Sequence, residues 1–337
     1  MERHLGDWGI ENATAATSEP EAELGRSVAV IGSGPAGLSA AWYLRRAGAR
    51  VTLYDAEDAP GGMLRSGIPP FRLSRDVLDA ELRRWTEAGI EIHCSAGIGT
   101  ELTLQELADE NDAVVIAVGH QAPRSLRLEG ADEAPGALLD GLDFLRRFNR
   151  GEDVEVGRRV AVIGGGNTAI DCARAARRLG ASVQVLYRRT RQEMPAIRDE
   201  VREAGEEGVL FRFQRSPVRV RAEDGRLSGL EHVATRQGEP DDSGRRRAVP
   251  VPGSEETDPF DAVILAIGEE SDLAFLAGSG VAANGHVDVN FAGATSRPGV
   301  FACGDAAFNQ GTVTQAVATG RRAAELAANY LRKGAGS

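Results

Sequence analysis

Short runs of apolar residues that end in glycine recur along this chain. The run Val28–Ile31 is apolar throughout and ends at Gly32, which is typical of a strand buried on both faces of a parallel sheet. Apolar residues at helical spacing follow over about 36–47, and a second apolar strand, Val51–Tyr54, ends at Asp55. The pattern predicts a strand, a tight turn, a helix and a second parallel strand, which is how a doubly wound α/β unit begins.

The same pattern returns about 130 residues later. The apolar run Val160–Ile163 ends at Gly164, and a helical stretch leads to another apolar strand, Val183–Tyr187. Two further apolar runs, 112–119 and 261–268, are almost identical to each other, and each is predicted to be the last strand of one unit. We therefore predict two internal copies of one design.

The remaining segments predict smaller elements. We expect a short helix and linker over 1–25, a packing helix with a Ser cap over 74–89, antiparallel hairpins over 209–260 and a long amphipathic helix over 311–330. The three arginines at 245–247 are expected in a solvated loop tip. The predicted domains are 26–119 together with 269–337, and 120–268 as an inserted unit.

Composition adds limits to this picture. The 337 residues are enough for two domains, and 39 Lys and Arg against 50 Asp and Glu give a net charge of −11, which argues against nucleic acid or an anionic membrane as a partner. There is no apolar core for a signal peptide and no run of about 18 apolar residues, so we expect a soluble, cytoplasmic protein. The cysteines Cys94, Cys172 and Cys303 are few and far apart, so no disulfide framework and no metal site is predicted, and each is expected to be a small buried apolar residue.

The first glycine turn has the spacing of a dinucleotide-binding loop. Gly32 permits the tight turn, Gly34 lets backbone amides approach a pyrophosphate, and Gly37 lets the helix pack closely on the strand. The N-terminus of the helix then faces the anion. Asp55 follows Gly32 by 55 − 32 = 23 residues, where an acid binds a ribose hydroxyl.

The second glycine turn differs at the end of its second strand. Gly164, Gly166 and Ala169 repeat the loop, but 164 + 23 = 187 is a tyrosine, and Arg188 and Arg189 follow it. Guanidinium groups pair with a 2′-phosphate, whereas an acid would repel it, so this site is predicted to prefer NADP over NAD. The alternative is that the two arginines form a solvated basic corner.

Two further segments have the composition of a flavin site. Residues 60–73 are too rich in glycine and proline for regular structure, so Gly62 could lie against a flat ligand that Arg65 or Arg72 reaches. The alternative for this segment is an ordinary surface loop. Near the C-terminus, Asp305 and the following helix N-terminus suit the sugar-like chain and the negative charge of a reduced flavin.

Four stretches together resemble a known family. They are Gly32-Ser-Gly-Pro-Ala-Gly37, Gly61–Leu73, Gly164-Gly-Gly-Asn-Thr-Ala169 with Tyr187–Pro195, and Gly299–Asp305. In combination they are similar to the two-dinucleotide-binding-domain flavoproteins of the glutamate synthase small (beta) subunit group, which includes the reductase part of dihydropyrimidine dehydrogenase. The resemblance implies an α/β fold with two Rossmann-like domains, an FAD domain and an inserted NADP domain, each with a parallel sheet and a small antiparallel crossover.

The resemblance also implies site residues and cofactors. FAD contacts are implied for Gly32, Gly34, Pro35, Ala36, Gly37, Asp55, Gly62, Arg65, Arg72, Gly119, Gly304, Asp305, Thr312 and Val313. NADPH contacts are implied for Gly164, Gly166, Asn167, Thr168, Arg188, Arg189 and the turn ending at Gly268. In this group a hydride passes from nicotinamide to flavin N5, so no side chain is predicted to act as acid or base.

This sequence departs from the group in ways that bear on function. Members typically carry an N-terminal domain whose cysteines hold [4Fe–4S] clusters, and here no cysteine precedes Cys94, so we expect no cluster in this chain. Electrons are then expected to pass to an iron–sulfur protein or a larger catalytic subunit. Val118 replaces a common Thr and Glu269 a common Gln, which leaves the nicotinamide preference open.

Two other functions stay open at this stage. One is a self-sufficient reductase of quinones, free flavin or oxygen, and the other is a non-catalytic subunit that binds both nucleotides. A thioredoxin-reductase-like activity is disfavoured because no two cysteines are close enough in sequence to form a dithiol. The sequence does not predict an oligomeric state.

Overall fold

A computed structural model describes residues 2–12, 22–240, 244–308 and 311–334. The chain divides into two compact units. Unit 1 comprises Met1–Arg65, Pro70–Ala122 and Glu270–Ser337, and unit 2 comprises Ser66–Pro69 and Pro123–Glu269.

The strands, in chain order, are β1 (Ser27–Ile31), β2 (Arg50–Tyr54), β3 (Glu91–His93), β4 (Ala113–Ile116), β5 (Ala122–Pro123), β6 (Leu138–Asp140), β7 (Arg159–Ile163), β8 (Ser182–Tyr187), β9 (Leu210–Phe213), β10 (Arg215–Glu223), β11 (Arg226–Pro240), β12 (Arg246–Pro250), β13 (Glu256–Asp258), β14 (Ala262–Leu265), β15 (Glu269–Glu270) and β16 (Val300–Ala302). The α-helices are α1 (Glu2–Glu11), α2 (Pro35–Arg46), α3 (Met63–Ser66), α4 (Arg75–Glu87), α5 (Leu104–Glu110), α6 (Gly141–Asn149), α7 (Asn167–Arg178), α8 (Arg198–Glu206), α9 (Asp305–Phe308) and α10 (Val313–Lys333). Single 3-10 turns cover Ala131–Glu133, Arg191–Glu193 and Ala274–Leu276.

Unit 1 is built on a five-stranded parallel sheet in the order β16-β4-β1-β2-β3. The central strand β1 is buried on both faces from Val28 to Ile31, because these four residues are all apolar. Val28 and Val30 belong to a core with α2 and α10, and Ala29 and Ile31 belong to a second core with α5. The sheet therefore has helices on both sides, as the apolar runs predict.

Helices α2 and α10 approach each other closely. A Cβ atom on Gly320 would come within 2.2 Å of the Ala36 carbonyl oxygen, so only glycine allows this distance. Alanines at 323, 324 and 327 continue the buried face of α10. This packing fixes the N-terminal half of α10 beside the first turn of α2.

Unit 2 contains a second five-stranded parallel sheet in the order β6-β14-β7-β8-β9. One face packs on α6, α7 and α8, and the other packs against an antiparallel sheet of β10, β11, β12 and β13. The order β3-β2-β1-β4 of unit 1 corresponds to β9-β8-β7-β14 of unit 2, which confirms the repeated design. In unit 1, isolated antiparallel bridges join Ala283 to Val287 and Ala294 to Phe301.

Several elements differ from the sequence expectation. Leu210–Phe213 was expected among antiparallel hairpins but pairs parallel with β8, so the hairpins begin only at Arg215. Arg246 and Arg247 lie in β12 and not in a loop tip. Helix α10 begins at Val313 because the Thr312 side chain accepts a hydrogen bond from the Gln315 amide and caps it. The linker predicted before residue 26 falls largely on residues 13–21, which lie outside the described residues.

The segment Ser66–Pro69 was expected in the 26–119 domain but groups with unit 2. There the Asn149 side-chain amide, at the end of α6, donates hydrogen bonds to the carbonyl oxygens of Ser66 at 2.7 Å and Ile68 at 3.4 Å. The other unit boundaries, at 122/123 and 269/270, compare with 119/120 and 268/269 in the sequence division. Across the described ranges, none of the helices is long and apolar enough to cross a membrane.

Candidate functional site

The loop after β1 has no room for a side chain at two of its glycine positions. A Cβ atom on Gly32 would lie 2.5 Å from the Ala117 carbonyl oxygen, and one on Gly37 would lie 1.8 Å from the Gly32 carbonyl oxygen. Helix α2 then begins after Gly34 without a side-chain cap, so its first amides are open to an anion. The loop therefore has the shape and the donors that a diphosphate requires.

Asp55 lies against this loop, at the end of β2. The residue is only 8% exposed, and one carboxylate oxygen, Oδ2, accepts hydrogen bonds from the Ser33 amide at 2.6 Å and from the Ser33 hydroxyl. The other oxygen, Oδ1, accepts from the Glu57 amide at 2.9 Å. The acid is thus held beside the phosphate loop, where a ribose hydroxyl would be bound.

Two of the other sequence-predicted glycines lie at the same loop. A Cβ atom on Gly62 would come within 2.7 Å of the Gly34 Cα atom, and one on Gly304 within 2.7 Å of the Ala36 Cβ atom. Both segments therefore approach the first turn of α2, which contains Pro35. Asp55, the turn at Gly62 and the segment at Gly304 therefore all lie at one loop of unit 1.

Three residues near the C-terminus, Asp305, Thr312 and Val313, are among those predicted to contact FAD. The Asp305 carboxylate accepts a hydrogen bond from the Gly311 amide at 2.8 Å, and Thr312 caps α10. Val313, the first residue of α10, is 44% exposed.

Gly119, another predicted FAD contact, lies beyond the end of β4. Its carbonyl oxygen accepts a hydrogen bond from the Ser271 hydroxyl at 2.8 Å.

The arginines of the 60–73 segment are held in their own loop. Arg65 donates from Nε to the Pro60 carbonyl oxygen at 2.7 Å and forms an ion pair with Asp79. Arg72 is partly buried in the following segment. Arg75, absent from the sequence prediction, donates to the Arg65 carbonyl oxygen at 2.7 Å, and burial lowers the pKa of its guanidinium. Arg65 therefore holds the Gly61–Gly62 turn through Pro60.

The second loop, after β7, is equally tight. A Cβ atom on Gly164 would lie 2.1 Å from the Ala266 carbonyl oxygen, and one on Gly165 would lie 2.4 Å from the Tyr187 ring. Helix α7 starts after Gly166 without a side-chain cap, so its amides are also open to an anion. Ala169, in place of the third glycine, is fully buried at the first turn of this helix.

A segment that the sequence reasoning missed borders this loop. The Ala196 amide donates to the Gly165 carbonyl oxygen at 3.1 Å, and the Ile197 amide donates to the Asn167 side-chain oxygen at 3.0 Å. Asn167 thus holds the start of α8 and has its side-chain NH₂ group left to donate elsewhere. Thr168 is partly buried beside it.

The end of β8 carries the two arginines in different environments. Arg188 is exposed, and its carbonyl oxygen accepts from the Thr235 hydroxyl at 2.7 Å. Arg189 is 6% exposed, and its Nε donates to the Arg246 carbonyl oxygen at 2.8 Å. The Tyr187 hydroxyl donates to the Glu193 carbonyl oxygen at 2.8 Å, and burial raises the pKa of this phenol. Tyr187 thus has the position in unit 2 that Asp55 has in unit 1, and the two arginines follow it directly.

The turn after β14 closes the same edge of unit 2. The Gly268 carbonyl oxygen accepts a hydrogen bond from the Arg124 amide at 3.1 Å. This turn follows Ala266, whose carbonyl oxygen lies against Gly164, just as Ala117 after β4 lies against Gly32. The two units therefore carry the same loop, closed by the same neighbouring strand end.

A model of the pyridine nucleotide-disulphide oxidoreductase family matches residues 26–323 of this sequence. The chain belongs to this family. As a member, this oxidoreductase uses FAD and NADPH as cofactors, and the two uncapped helix N-termini with their tight glycine loops fit two dinucleotides.

Relatives of the oxidoreductase are named as subunits. It is 46% identical over 337 residues to the NADP(+)-dependent formate dehydrogenase subunit beta of Moorella thermoacetica, covering 98% of this chain and 47% of that protein. It is 38% identical to the NADPH-Fe(3+) oxidoreductase subunit beta of Geobacter sulfurreducens, covering 99% of this chain and 54% of that protein. The chain thus spans about half the length of these two relatives.

The expected resemblance to glutamate synthase small subunits is confirmed. The oxidoreductase is 37% identical to the glutamate synthase [NADPH] small chain of Escherichia coli, covering 98% of this chain and 74% of that protein. Among solved structures, Mycobacterium tuberculosis FprA in complex with NADPH superimposes with a TM-score of 0.78 at 20% identity, covering 91% of this chain and 85% of that chain. That likeness shows a shared fold.

Proposed function

We propose that this chain is the NADPH-oxidising flavoprotein part of an electron-transfer complex. Unit 1 holds FAD, unit 2 holds NADPH, and electrons leave for an iron–sulfur protein or a larger catalytic subunit. The observation that carries the proposal is the difference between the two loops. An acid, Asp55, follows β2, whereas β8 ends at Tyr187 and is followed by Arg188 and Arg189. One chain therefore presents one site for a ribose hydroxyl and one for a 2′-phosphate.

The residues of unit 1 fit FAD. The α2 amides face the diphosphate, Asp55 accepts from the ribose, and the Gly62 and Gly304 segments bring bare backbone to the same loop. Asp305 in α9, together with Thr312 and Val313 at the start of α10, would contact the flavin half of the cofactor. FAD held by these residues would supply hydride acceptance from a nicotinamide and one-electron transfer to an acceptor.

The residues of unit 2 fit NADPH. The α7 amides face the diphosphate, with Gly166, Asn167 and Thr168 at the first turn. Arg188 is exposed, so its guanidinium would bind a 2′-phosphate from the solvent side, whereas the buried Arg189 would supply positive charge from a fixed position. Because Arg189 is buried and hydrogen-bonded to the Arg246 carbonyl oxygen, the alternative that both arginines are simply solvated surface residues is disfavoured.

An external iron–sulfur acceptor is supported by the cysteines and by the relatives. The three cysteines are fewer than the four thiolates that hold a [4Fe–4S] cluster, and Cys172 and Cys303 are fully buried. Burial raises the pKa of the Cys303 thiol to about 12, so it does not form a thiolate readily. The formate dehydrogenase and Fe(3+) oxidoreductase relatives are both named as beta subunits.

The first test is anaerobic stopped-flow reduction of the purified yellow protein by NADPH and, separately, by NADH, with iron analysis of the same sample. We expect bound FAD, rapid bleaching with NADPH preferred, and no iron. Absence of flavin, or reduction by neither nucleotide, would contradict an enzymatic role and support a subunit that only binds nucleotides.

The acceptor is tested with the same preparation under turnover. We expect slow consumption of NADPH with menadione, free FMN or oxygen, and faster consumption when a [4Fe–4S] ferredoxin is added. Fast turnover with a small acceptor and no gain from the ferredoxin would instead establish a self-sufficient reductase.

A further inference from the structure

Ser33 joins three segments of unit 1 through one hydroxyl group. It lies between Gly32 and Gly34 and is fully buried. Its hydroxyl donates to Asp55 Oδ2 and accepts a hydrogen bond from the Gly61 amide at 2.9 Å. A serine hydroxyl has one proton, so its donor and acceptor roles are both fixed here.

This arrangement determines what Asp55 can offer to a ligand. Oδ2 already accepts two hydrogen bonds from Ser33, one from the amide and one from the hydroxyl. Oδ1 accepts one bond, from Glu57, and a carboxylate oxygen accepts two. The remaining capacity of Asp55 is therefore on Oδ1, and Ser33 sets the orientation of that oxygen.

The same hydroxyl holds the Gly61–Gly62 turn. Gly62 approaches Gly34 so closely that a Cβ atom would lie 2.7 Å from its Cα atom, and Arg65 secures the turn through the Pro60 carbonyl oxygen. Without the Ser33 oxygen, the Gly61 amide would be a buried donor with no acceptor in this arrangement, and such groups are costly to bury.

We propose that Ser33 is the positioning residue of the FAD site, because its hydroxyl holds the acid at the end of β2 and the Gly61–Gly62 turn in register with the phosphate loop. Ser33 acts through Asp55 and Gly61 and does not itself need to touch the cofactor. The inference rests on the proposed binding of FAD in unit 1. It makes the site a preformed cradle, so replacing the hydroxyl should weaken FAD binding more than it weakens folding.

The test compares Ser33→Ala with Ser39→Ala. Ser39 is a matched control because it is also buried in unit 1, and its hydroxyl donates to the Val317 carbonyl oxygen at 2.8 Å and not to Asp55. FAD is removed from each purified protein, and the Kd of FAD is measured by quenching of its fluorescence. We expect Ser33→Ala to raise the Kd at least about tenfold and Ser39→Ala to change it less than about threefold.

Two more variants separate positioning from a general loss of structure. In an Asp55→Asn background, Ser33→Ala should raise the Kd of FAD by a smaller factor than in the wild type, because part of its effect passes through the missing carboxylate. Ser33→Cys keeps the size and a weak donor, so it should bind FAD with an affinity between wild type and Ser33→Ala, and it replaces Ser33→Ala if that variant does not fold.

Binding of 2′,5′-ADP, followed by calorimetry, reports on unit 2 and should be unchanged in every variant. Equal Kd values for wild type and Ser33→Ala, an equal loss with Ser39→Ala, or full additivity with Asp55→Asn would each overturn the proposal. A wild-type protein that binds no FAD would instead contradict the proposed function, before any variant is examined.

Discussion

The ring of Tyr187 lies directly against the backbone of Gly165, so that a Cβ atom on Gly165 would come within 2.4 Å of the ring. The tyrosine at the end of β8 thereby forms one wall of the second glycine loop. Its hydroxyl is tied to the Glu193 carbonyl oxygen, so the ring has little freedom to move away. A side chain at position 165 must displace either the ring or the loop.

We therefore expect Gly165→Ala to disturb the NADPH site. The overpacking should cost about 1–3 kcal/mol of unfolding free energy and raise the Kd of 2′,5′-ADP. Urea unfolding and calorimetry measure the two effects. Gly205→Ala is the control, because nothing lies within 4 Å of a Cβ atom at that helical position in α8. It should leave binding unchanged and be neutral or stabilising by up to about 1 kcal/mol, and an equal effect of both substitutions would contradict the role of Tyr187.

Arg188 and Arg189 should differ when each is replaced by alanine. Because each substitution removes a positive charge from the proposed 2′-phosphate site, both should raise the KM for NADPH by about tenfold or more and leave the KM for NADH nearly unchanged. Arg189→Ala should also lower the unfolding free energy, by about 1 kcal/mol, since it removes the hydrogen bond to the Arg246 carbonyl oxygen. Arg226→Ala, an exposed arginine in the β10–β11 hairpin, is the control. A rise in both KM values alike would argue against phosphate recognition.

Gly62→Ala tests the close approach of the Gly61–Gly62 turn to the phosphate loop. Position 62 has a φ of +50°, and its Cβ atom would meet Gly34 at 2.7 Å. Gly280 in the same unit has a φ of +79° with nothing within 4 Å, so Gly280→Ala carries the backbone strain alone, about 1–2 kcal/mol. We expect only Gly62→Ala to weaken FAD binding. The Kd of FAD should rise tenfold or more, because the added methyl group displaces the turn from the phosphate loop. Similar FAD affinities in the two variants would contradict the predicted contact.

The ion-pair cluster of α7 and α8 should make unit 2 sensitive to acid. Hydrogen bonds from Arg178, followed by those from the buried Arg174, lower the pKa of Glu207 from 4.5 to about 2. Because the folded-state pKa lies below the unfolded one, the contribution of Glu207 is complete above about pH 4.5 and is lost as the pH falls towards 2.

Glu207→Gln should thus lower the unfolding free energy by about 1 kcal/mol at pH 7, after allowing for solvent screening, and the difference from wild type should vanish towards pH 2. Urea unfolding at pH 7, 5 and 3 measures the profile. Glu206→Gln removes an exposed partner of Arg202 on the same helix and should change stability by less than about 0.5 kcal/mol at any pH. A pH-independent effect of Glu207→Gln would exclude the carboxylate as its origin.

Local patterns in the sequence were sufficient for most of the fold. The apolar runs at 28–31 and 160–163 predict central strands because a strand buried on both faces needs no polar position, and both are central in their sheets. Leu210–Phe213 was assigned to the hairpins because a short run of alternating residues does not show which partner it pairs with. Its parallel pairing with β8 depends on the tertiary arrangement.

Site geometry was less accessible from the sequence. The glycine spacings predict the two loops, but the serine at 33 and the tyrosine at 187 contribute through contacts with residues far away in the chain. Cys94 is only half-buried, against the expectation of a buried apolar residue, because it follows the edge strand β3. Such contacts have no sequence period, so a pattern-based reading does not reveal them. The ligand assigned to each loop stays a prediction.

The grouping of Ser66–Pro69 with unit 2 affects how this protein can be taken apart. A nucleotide domain inserted at one place is joined to its host by two peptide links and can be exchanged as a single cassette. Here the chain passes between the units four times, at 65/66, 69/70, 122/123 and 269/270. An excised fragment 123–269 would lose the carbonyl oxygens that Asn149 binds, so a chimaera of this reductase has to carry both segments from the same parent.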